Sequence, residues 1–137
     1  MTAMTAGELQ EFLANAFSTP PPFLIEEVGD WGARLRLPTS ALIERPGGTV
    51  SGPNLMSLAD SAAWLAILAQ IGPVALAVTT SLHIDFLRKP VMVADVLADG
   101  ILLKLGKRLA VVDVAMRSEG SEELVAKAQV TYSIPPR

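Results

Sequence analysis

The sequence contains no cysteine, a single histidine and only 5% aromatic residues. Without cysteine the chain can form neither a disulfide framework nor a thiolate metal site, and it has no Cys nucleophile. One histidine with scattered acids offers no cluster of ligands, so we expect no metal. A chain without disulfides fits a reducing compartment, and we expect a cytoplasmic protein.

Positive charge is also scarce, with 11 Lys and Arg against 14 Asp and Glu and a net charge of −3. Because nucleic-acid binding usually needs a basic face, we expect no nucleic-acid partner. The N-terminus MTAMTAGELQEF lacks the basic start and apolar core of a secretory signal. The apolar run over residues 55–71 is interrupted by Asp60 and Gln70 and is shorter than the roughly 20 clean residues of a membrane span. These features predict a soluble protein without membrane contact.

The chain has 137 residues, half of them hydrophobic, which predicts one domain over residues 1–137 with a substantial core. Residues 6–17 place Leu9, Phe12, Leu13 and Phe17 at helical spacing, so we expect an amphipathic N-terminal helix. Three consecutive prolines at positions 20–22 should end it. Residues 1–22 are therefore interpreted as an N-terminal helix and a proline-rich connection.

A hairpin and a buried helix are predicted next. Segments 23–28 and 31–37 read as two short strands joined by a turn. Ser51, Gly52 and Pro53 are typical of a helix start, because Ser or Gly can cap and Pro lacks only an N–H that has no partner there. The helix should span residues 53–70 and stop at Gly72 and Pro73. Since it is apolar on nearly every side, we expect it to be enclosed.

Four long strands are predicted in the second half of the chain, over residues 78–86, 91–105, 108–117 and 123–134. The loops between them are mostly too short for parallel crossovers. The fold class is therefore α+β, an antiparallel sheet wrapped around one long central helix, with an additional N-terminal helix. In the first of these strands Thr79, Ser81, His83 and Asp85 alternate with apolar residues, which predicts a polar face or a face joined to another subunit.

Three stretches carry a resemblance to a known family: GTVSGPNLMSLAD (48–60), VTTSLHIDFLRKP (78–90) and GKRLAVVDV (106–114). Together they resemble the hotdog-fold acyl-CoA thioesterases of the phenylacetate-degradation (PaaI-like) type, over residues 23–134. In that family a turn of the form G-x-x-H-G-G precedes the helix, and an acid follows nine residues after the His. Gly48, Gly52 and Asp60 keep this pattern, whereas Ser51 and Pro53 replace the His and the second Gly.

The resemblance implies hydrolysis of acyl-CoA to a carboxylic acid and coenzyme A by a homodimer or a dimer of dimers. It implies no cofactor, since coenzyme A is part of the substrate. The departures at Ser51 and Pro53, together with Arg45 where many relatives have Asn or Gln, keep a second interpretation open. That alternative is an acyl-CoA-binding hotdog protein with weakened catalysis.

Thioester hydrolysis needs a donor for the developing oxyanion and a group that attacks the carbonyl or activates water. The free N–H of Gly52 at the start of the helix suits the first role. Asp60 could be the general base or the nucleophile, although it could also merely hydrogen-bond at a subunit contact. Eight residues of helix span about 12 Å, too far for both groups to act on one carbonyl. We therefore expect Asp60 to face Gly52 of a second chain.

Thr79 matches a Ser or Thr that in relatives holds the attacking water. Its neighbour Thr80, which shares a strand face with Leu82, competes for this role if the register is shifted by one residue. We expect His83 to be a polar-face or interface residue, because the sequence places no carboxylate to orient it.

The remaining candidates are polar or basic residues that could bind the substrate. Arg45 could donate to the substrate carbonyl, Ser51 could act as a weak hydroxyl donor or as a helix cap, and Asn54 is a further candidate. Cations at strand ends could bind the phosphates of coenzyme A or could be solvated residues that discourage edge pairing: Arg88, Lys89, Lys107 and Arg108.

Overall fold

A long helix lies against one face of an antiparallel sheet in the computed structural model, which describes residues 2–136. The helices are α1 (Ala6–Ala16) and α2 (Gly52–Ile71), and a short 3-10 helix spans Thr39–Ala41. The strands are β1 (Leu24–Gly29), β2 (Gly32–Leu37), β3 (Glu44–Arg45), β4 (Thr49–Val50), β5 (Val78–Phe86), β6 (Val96–Leu105), β7 (Leu109–Ser118) and β8 (Leu124–Ser133).

The main sheet has six strands in the order β1-β2-β6-β7-β8-β5, and every neighbouring pair is antiparallel. Strands β3 and β4 form a separate two-stranded ribbon just before α2. The arrangement is the hotdog fold, a sheet around a central helix with an additional N-terminal helix, and it confirms the predicted fold class. Strand β5 ends the sheet, so one of its two edges has no partner strand among residues 2–136.

The central helix α2 can approach the sheet closely because its inward side chains are small. Ala59, Ala62, Ala63 and Ala66 are all fully buried against strands that include β2 and β6. Opposite them, a Cβ atom added at Gly100 of β6 would lie 2.8 Å from the carbonyl oxygen of Ala62. The close contact between helix and sheet therefore requires glycine at position 100.

The ends of α2 confirm the helix predicted over residues 53–70 to within one residue. Ser51 is the N-cap, and its hydroxyl accepts a 3.3 Å hydrogen bond from the N–H of Asn54. Gly72 ends the helix with φ of 98° and donates its N–H to the carbonyl of Leu68. The length and composition of α2 would suffice for a membrane span, yet 61% of its most apolar 18-residue segment is buried inside the protein. This is the environment of a core helix in a soluble domain.

The strand predicted over residues 91–105 is wrong at its start, because β6 begins only at Val96. Residues 92–94 form a turn or bend, and Val91 makes an isolated bridge to Thr49. The carboxylate of Asp95 accepts a 2.9 Å hydrogen bond from the N–H of Thr39 and a 2.8 Å bond from Arg36. These bonds hold residue 95 to Arg36 of β2 and to the loop that follows β2, so the apolar stretch before it does not enter the ladder.

Helix α1 begins at a capping box, in which Thr5 and Glu8 each accept a hydrogen bond from the other's backbone N–H. Its inward residues Leu9 and Leu13 are fully buried. The helix ends at Ala16, one residue before the predicted boundary. Helix α1 contacts both β1 and α2, so it covers part of the central helix. The proline-rich connection follows its last residue.

Candidate functional site

Asp60 of α2 is held by two hydroxyl groups that come from the sheet. The hydroxyl of Thr79, at the start of β5, donates a 2.5 Å hydrogen bond to Oδ1 of Asp60. The phenol of Tyr132, near the end of β8, donates to the same oxygen at 2.9 Å and lies 3.2 Å from the Asp60 carbonyl oxygen. Oδ2 accepts no hydrogen bond from the residues that the structure describes. One carboxylate oxygen is therefore fixed, and the other is available to water or substrate.

A β-bulge decides which threonine reaches Asp60. Thr79 pairs with Tyr132 and Ser81 pairs with Thr131, so the register shifts between positions 79 and 81. The alternation predicted for this strand, with Thr79 on the same face as Ser81, is therefore wrong. The extra residue of the bulge turns Thr79 toward the buried Tyr132. The hydroxyl of Thr80 instead donates to the carbonyl of Thr131 at 3.3 Å.

Tyr132 was not predicted as a site residue. It is the only tyrosine in the chain and is 4% exposed. Burial raises the pKa of its phenol, and the charge of Asp60 and the hydrogen bond to it act in the same direction against an opposing hydrogen bond with Thr79. The phenol therefore stays protonated and can donate to the carboxylate. No local pattern points to this role, because 72 residues separate Tyr132 from Asp60.

Asp60 lines a cavity of about 470 Å³ whose walls are mostly apolar. Asn54 lines the same cavity, and its Oδ1 accepts a 2.9 Å hydrogen bond from the N–H of Ile43. The predicted substrate-binding residue Asn54 thus lies on the Asp60 side. The other lining residues come from α1, the proline-rich connection, β2, α2 and β8: Leu13, Phe17, Thr19, Pro20, Pro21, Pro22, Phe23, Leu37, Ser57, Leu58, Ser61, Trp64 and Tyr132.

Gly52 lies in a different cavity, of about 370 Å³, with three cations in its lining. These are Arg45, Arg88 and Lys89, and all three are exposed. Phe86 of β5 forms another part of the wall, and a Cβ atom added at Gly52 would lie 3.3 Å from its ring. Pro53 has no N–H and the N–H of Asn54 donates to Ser51, so the donor that the start of α2 offers beside this positive charge is the N–H of Gly52.

The cations of this cavity differ in their partners. Arg88 forms an ion pair with Glu123 at 3.0 Å and donates to the carbonyl of Leu124 at 3.0 Å. Lys89 and Arg45 form no ion pair with the residues that the structure describes. Arg88 is therefore held in place, whereas the charges of the other two are available to a ligand.

Lys107 and Arg108 line a third cavity, of about 310 Å³, with Pro135 and Pro136. They precede β7, whose first residue Leu109 lies opposite Ser133, the partner of Val78 at the start of β5. Arg88 and Lys89 follow the opposite end of β5. Within one chain, the four predicted phosphate-binding cations are not brought together.

His83 lies 3.1 Å from Oδ2 of Asp85, so the expectation that no carboxylate orients it is wrong. Both side chains are exposed, and neither lines the cavities around Asp60 and Gly52. Among residues 2–136 there is no group of three acidic or histidine side chains that could hold a metal ion.

Known proteins are similar to this chain in sequence and architecture. Residues 47–131 match the thioesterase superfamily. A protein of Silicibacter sp. TM1040, provisionally assigned as a thioesterase, is 41% identical, with 99% of this chain and 95% of that chain covered and a TM-score of 0.91. A conserved protein of Pseudomonas aeruginosa is 30% identical over 92% of this chain and 98% of that one, with a TM-score of 0.77.

A mutant of the phenylacetic acid degradation protein PaaI from Thermus thermophilus is 29% identical over 82% of this chain and 93% of that chain, with a TM-score of 0.70. No curated protein matches the chain significantly.

Proposed function

We propose, since this chain belongs to the thioesterase superfamily, that it hydrolyses acyl-CoA thioesters at sites shared between two copies of the chain. Membership supports thioester hydrolysis as the reaction class. The acyl-CoA substrate, the role of Asp60 and the shared site are our proposal. The observation that carries it is the separation of the two reactive groups, since Asp60 and Gly52 of one chain line different cavities.

The unpaired edge of β5 gives a physical route to a dimer. An exposed edge strand of nine residues can pair with a second copy, and the exposed apolar residues Val78 and Phe86 favour burial there. In an antiparallel pair of β5 strands, the N-terminal end of one strand lies beside the C-terminal end of the other. Thr79 at the N-terminal end contacts Asp60, and Phe86 at the C-terminal end lies against Gly52. A two-fold axis between the two paired β5 strands would thus bring Asp60 of one chain toward Gly52 of its partner.

In this site Asp60 is the general base. Its free Oδ2 removes a proton from a water molecule, and the water oxygen bonds to the thioester carbon. The carbonyl oxygen becomes negative and accepts a hydrogen bond from the N–H of Gly52 of the other chain. When the carbon–sulfur bond breaks, the sulfur of coenzyme A leaves as a thiolate or takes the proton from Asp60. The products are the carboxylic acid and coenzyme A.

A nucleophilic role for Asp60 predicts a different fate of the solvent oxygen where water cleaves the intermediate at the Asp60 carbonyl. Direct attack would form an anhydride between the acyl group and Asp60, which water would then cleave. In a single turnover in water labelled with heavy oxygen, cleavage at the Asp60 carbonyl puts the label into Asp60. The general-base route puts the label into the carboxylic acid product and leaves Asp60 unlabelled.

The basic cavity at Gly52 suits the phosphates of coenzyme A. Arg45 and Lys89 offer charges without ion pairs among the described residues, and Arg88 adds a third charge beside the helix N-terminus. Pairing of the β5 strands would also bring the N-terminal end of the partner's β5 toward this cavity. The partner's copies of Lys107 and Arg108 would come with it. All four predicted strand-end cations can then serve one ligand, although no single chain assembles them.

Replacing Asp60 with Asn tests the proposal, because the amide keeps the shape of the side chain but cannot accept the proton. Hydrolysis of a panel of acyl-CoA esters should fall by about 10²- to 10⁴-fold, the usual contribution of a general base. The matched control is Glu11→Gln, which changes an exposed acid of α1 outside the cavities and should leave turnover unchanged. Turnover retained in Asp60→Asn would sink the role given to Asp60. A wild-type protein that binds acyl-CoA but hydrolyses none would favour the binding-protein alternative.

A further inference from the structure

The cavity beside Asp60 is closed on one side by the segment that leads from α1 into β1. Leu13, Phe17, the prolines at positions 20–22 and Phe23 all line it. Asp60 and Tyr132 are among the polar residues that line the same cavity. An occupant would therefore have its reacting group at the carboxylate and its apolar part against the N-terminal segment.

This wall is fixed in position before any ligand arrives. Leu9 and Leu13 are fully buried on α1, and Gln10 accepts a 3.1 Å hydrogen bond from the N–H of Ile25 in β1. Ala3 donates its N–H to the carbonyl of Ala69 near the end of α2 at 2.8 Å. The prolines restrict the backbone that follows. A preformed apolar wall lowers the ordering cost of binding.

Trp64 of α2 lines the cavity beside this wall and is held by packing against it. Its ring centroid lies 6.0 Å from that of Phe12 and 6.1 Å from that of Phe17, the latter in a T-shaped arrangement. The indole N–H is buried and has no acceptor among the described residues. Phe17 therefore both lines the cavity and sets the position of Trp64.

We propose that this cavity binds the acyl group of the substrate and that residues 13–23 set its preference for apolar acyl groups of medium length or with an aromatic ring. The inference rests on the proposed thioesterase function, since it assigns the acyl side of that site. A volume of about 470 Å³ lies within the range of small-molecule sites, about 300–1,000 Å³. An acetyl group would leave most of it empty.

Residues 13–23 lie outside the region that matches the thioesterase superfamily, residues 47–131. The groups that we assign to the reaction and the main wall of the acyl cavity therefore belong to different parts of the chain. A change in the N-terminal segment should alter which acyl group is preferred without removing the reaction itself.

The kinetic test compares wild type with Phe17→Ala, Phe17→Trp and the control Asn15→Ala on straight-chain acyl-CoA esters and phenylacetyl-CoA. For wild type, kcat/KM should rise by about fourfold per added methylene until the cavity is filled. Phe17→Ala should move the optimum to longer chains, and Phe17→Trp to shorter ones. Asn15 is an exposed residue of α1 outside the cavity lining, so its variant should keep the wild-type profile. An unchanged optimum in both folded Phe17 variants would overturn the inference.

A binding test separates this inference from the proposed reaction. Trp31→Phe leaves Trp64 as the only indole, and Asp60→Asn in the same chain prevents the proposed turnover. Trp64 fluorescence should change on titration with octanoyl-CoA or phenylacetyl-CoA and not with coenzyme A alone. Such a response supports the acyl cavity even if the wild type hydrolyses no thioester. A response that is equal for coenzyme A and its esters, or no response to either ester, would contradict the inference.

Discussion

Thr79 donates a 2.5 Å hydrogen bond to Oδ1 of Asp60, which joins the start of the edge strand β5 to the middle of the central helix. Tyr132 donates to the same oxygen, so the two donors fix the carboxylate and leave Oδ2 open. The strand that would form the dimer interface thus also orients the acid that we assign to the reaction. The proposed dimer contact and the orientation of Asp60 therefore both depend on β5.

Replacing Thr79 with Val should lower kcat/KM by about 10- to 100-fold, because a hydrogen bond to a charged group contributes about 1.5–3 kcal/mol. Val keeps the branched shape and removes only the donor. Thr80→Val is the matched control, since the Thr80 hydroxyl donates to the carbonyl of Thr131 and does not reach Asp60. Steady-state kinetics on one acyl-CoA ester compares them. A larger loss in the Thr80 variant would show that the proposed assignment of the two residues is reversed.

The single tyrosine predicts a specific response at high pH. Tyrosine in an unfolded chain ionises near pH 10, whereas burial and Asp60 raise the pKa of Tyr132 in the folded protein. The stability from keeping this phenol neutral is fully present below about pH 10 and is lost as the pH rises from there toward the folded pKa. Tyrosinate absorbance should therefore appear near pH 10 in denaturant, but only at higher pH in the folded protein.

Tyr132→Phe is the control for this titration, because it removes the only phenol in the chain. The variant should show no tyrosinate signal, and its unfolding free energy should not fall with the Tyr132 titration above about pH 10. Ionisation of the folded wild type at the same pH as the denatured chain would contradict the buried position of the phenol.

The ends of the central helix and the separation of Gly52 from Asp60 could be predicted from the sequence because the signals are local. The Ser51, Gly52 and Pro53 start and the Gly72 stop fix the ends, and the rise per residue alone excludes a site made by Gly52 and Asp60 of one chain. The structure agrees, since the two residues line different cavities.

The partners of Asp60 could not be predicted in the same way. The bulge that turns Thr79 toward Asp60 is set by pairing with β8, so alternation in the strand placed Thr79 on the wrong face. Tyr132 reaches Asp60 only through the sheet topology, from 72 residues away. The start of β6 could not be predicted from the sequence either. Asp95 is bonded to Thr39 and Arg36, so β6 begins at Val96, whereas apolar composition alone would start the strand at Val91.

Gly100→Ala should lower the unfolding free energy by about 1–3 kcal/mol, the usual cost of overpacking. The added methyl group would lie 2.8 Å from the Ala62 carbonyl oxygen, which is backbone and cannot rotate away. Gly120→Ala is not a suitable control because its φ of 89° adds backbone strain. Gly7→Ala is better, since only a side-chain oxygen lies near, at 3.9 Å. Denaturant unfolding should show the loss for position 100 alone.

Gly52→Pro and Gly52→Ala separate the N–H of residue 52 from its lack of a side chain. Proline removes the proposed oxyanion donor, and kcat should fall by about 10²- to 10³-fold. Alanine keeps the N–H and places a methyl group 3.3 Å from the Phe86 ring, a contact that a side chain can relieve. A smaller loss is therefore expected for alanine. Equal losses in the two folded variants would argue for bulk and against a donor.

The most direct test of the proposed shared site is the activity of a mixed dimer of Asp60→Asn and Gly52→Pro chains, co-expressed with different tags and purified through both. Each homodimer should be nearly inactive. In the mixed dimer one site collects both substitutions and the other has neither, so we expect about half of the wild-type turnover per dimer. A mixed dimer no more active than its parents would contradict the account, because it would place Gly52 and Asp60 of the same chain in one site.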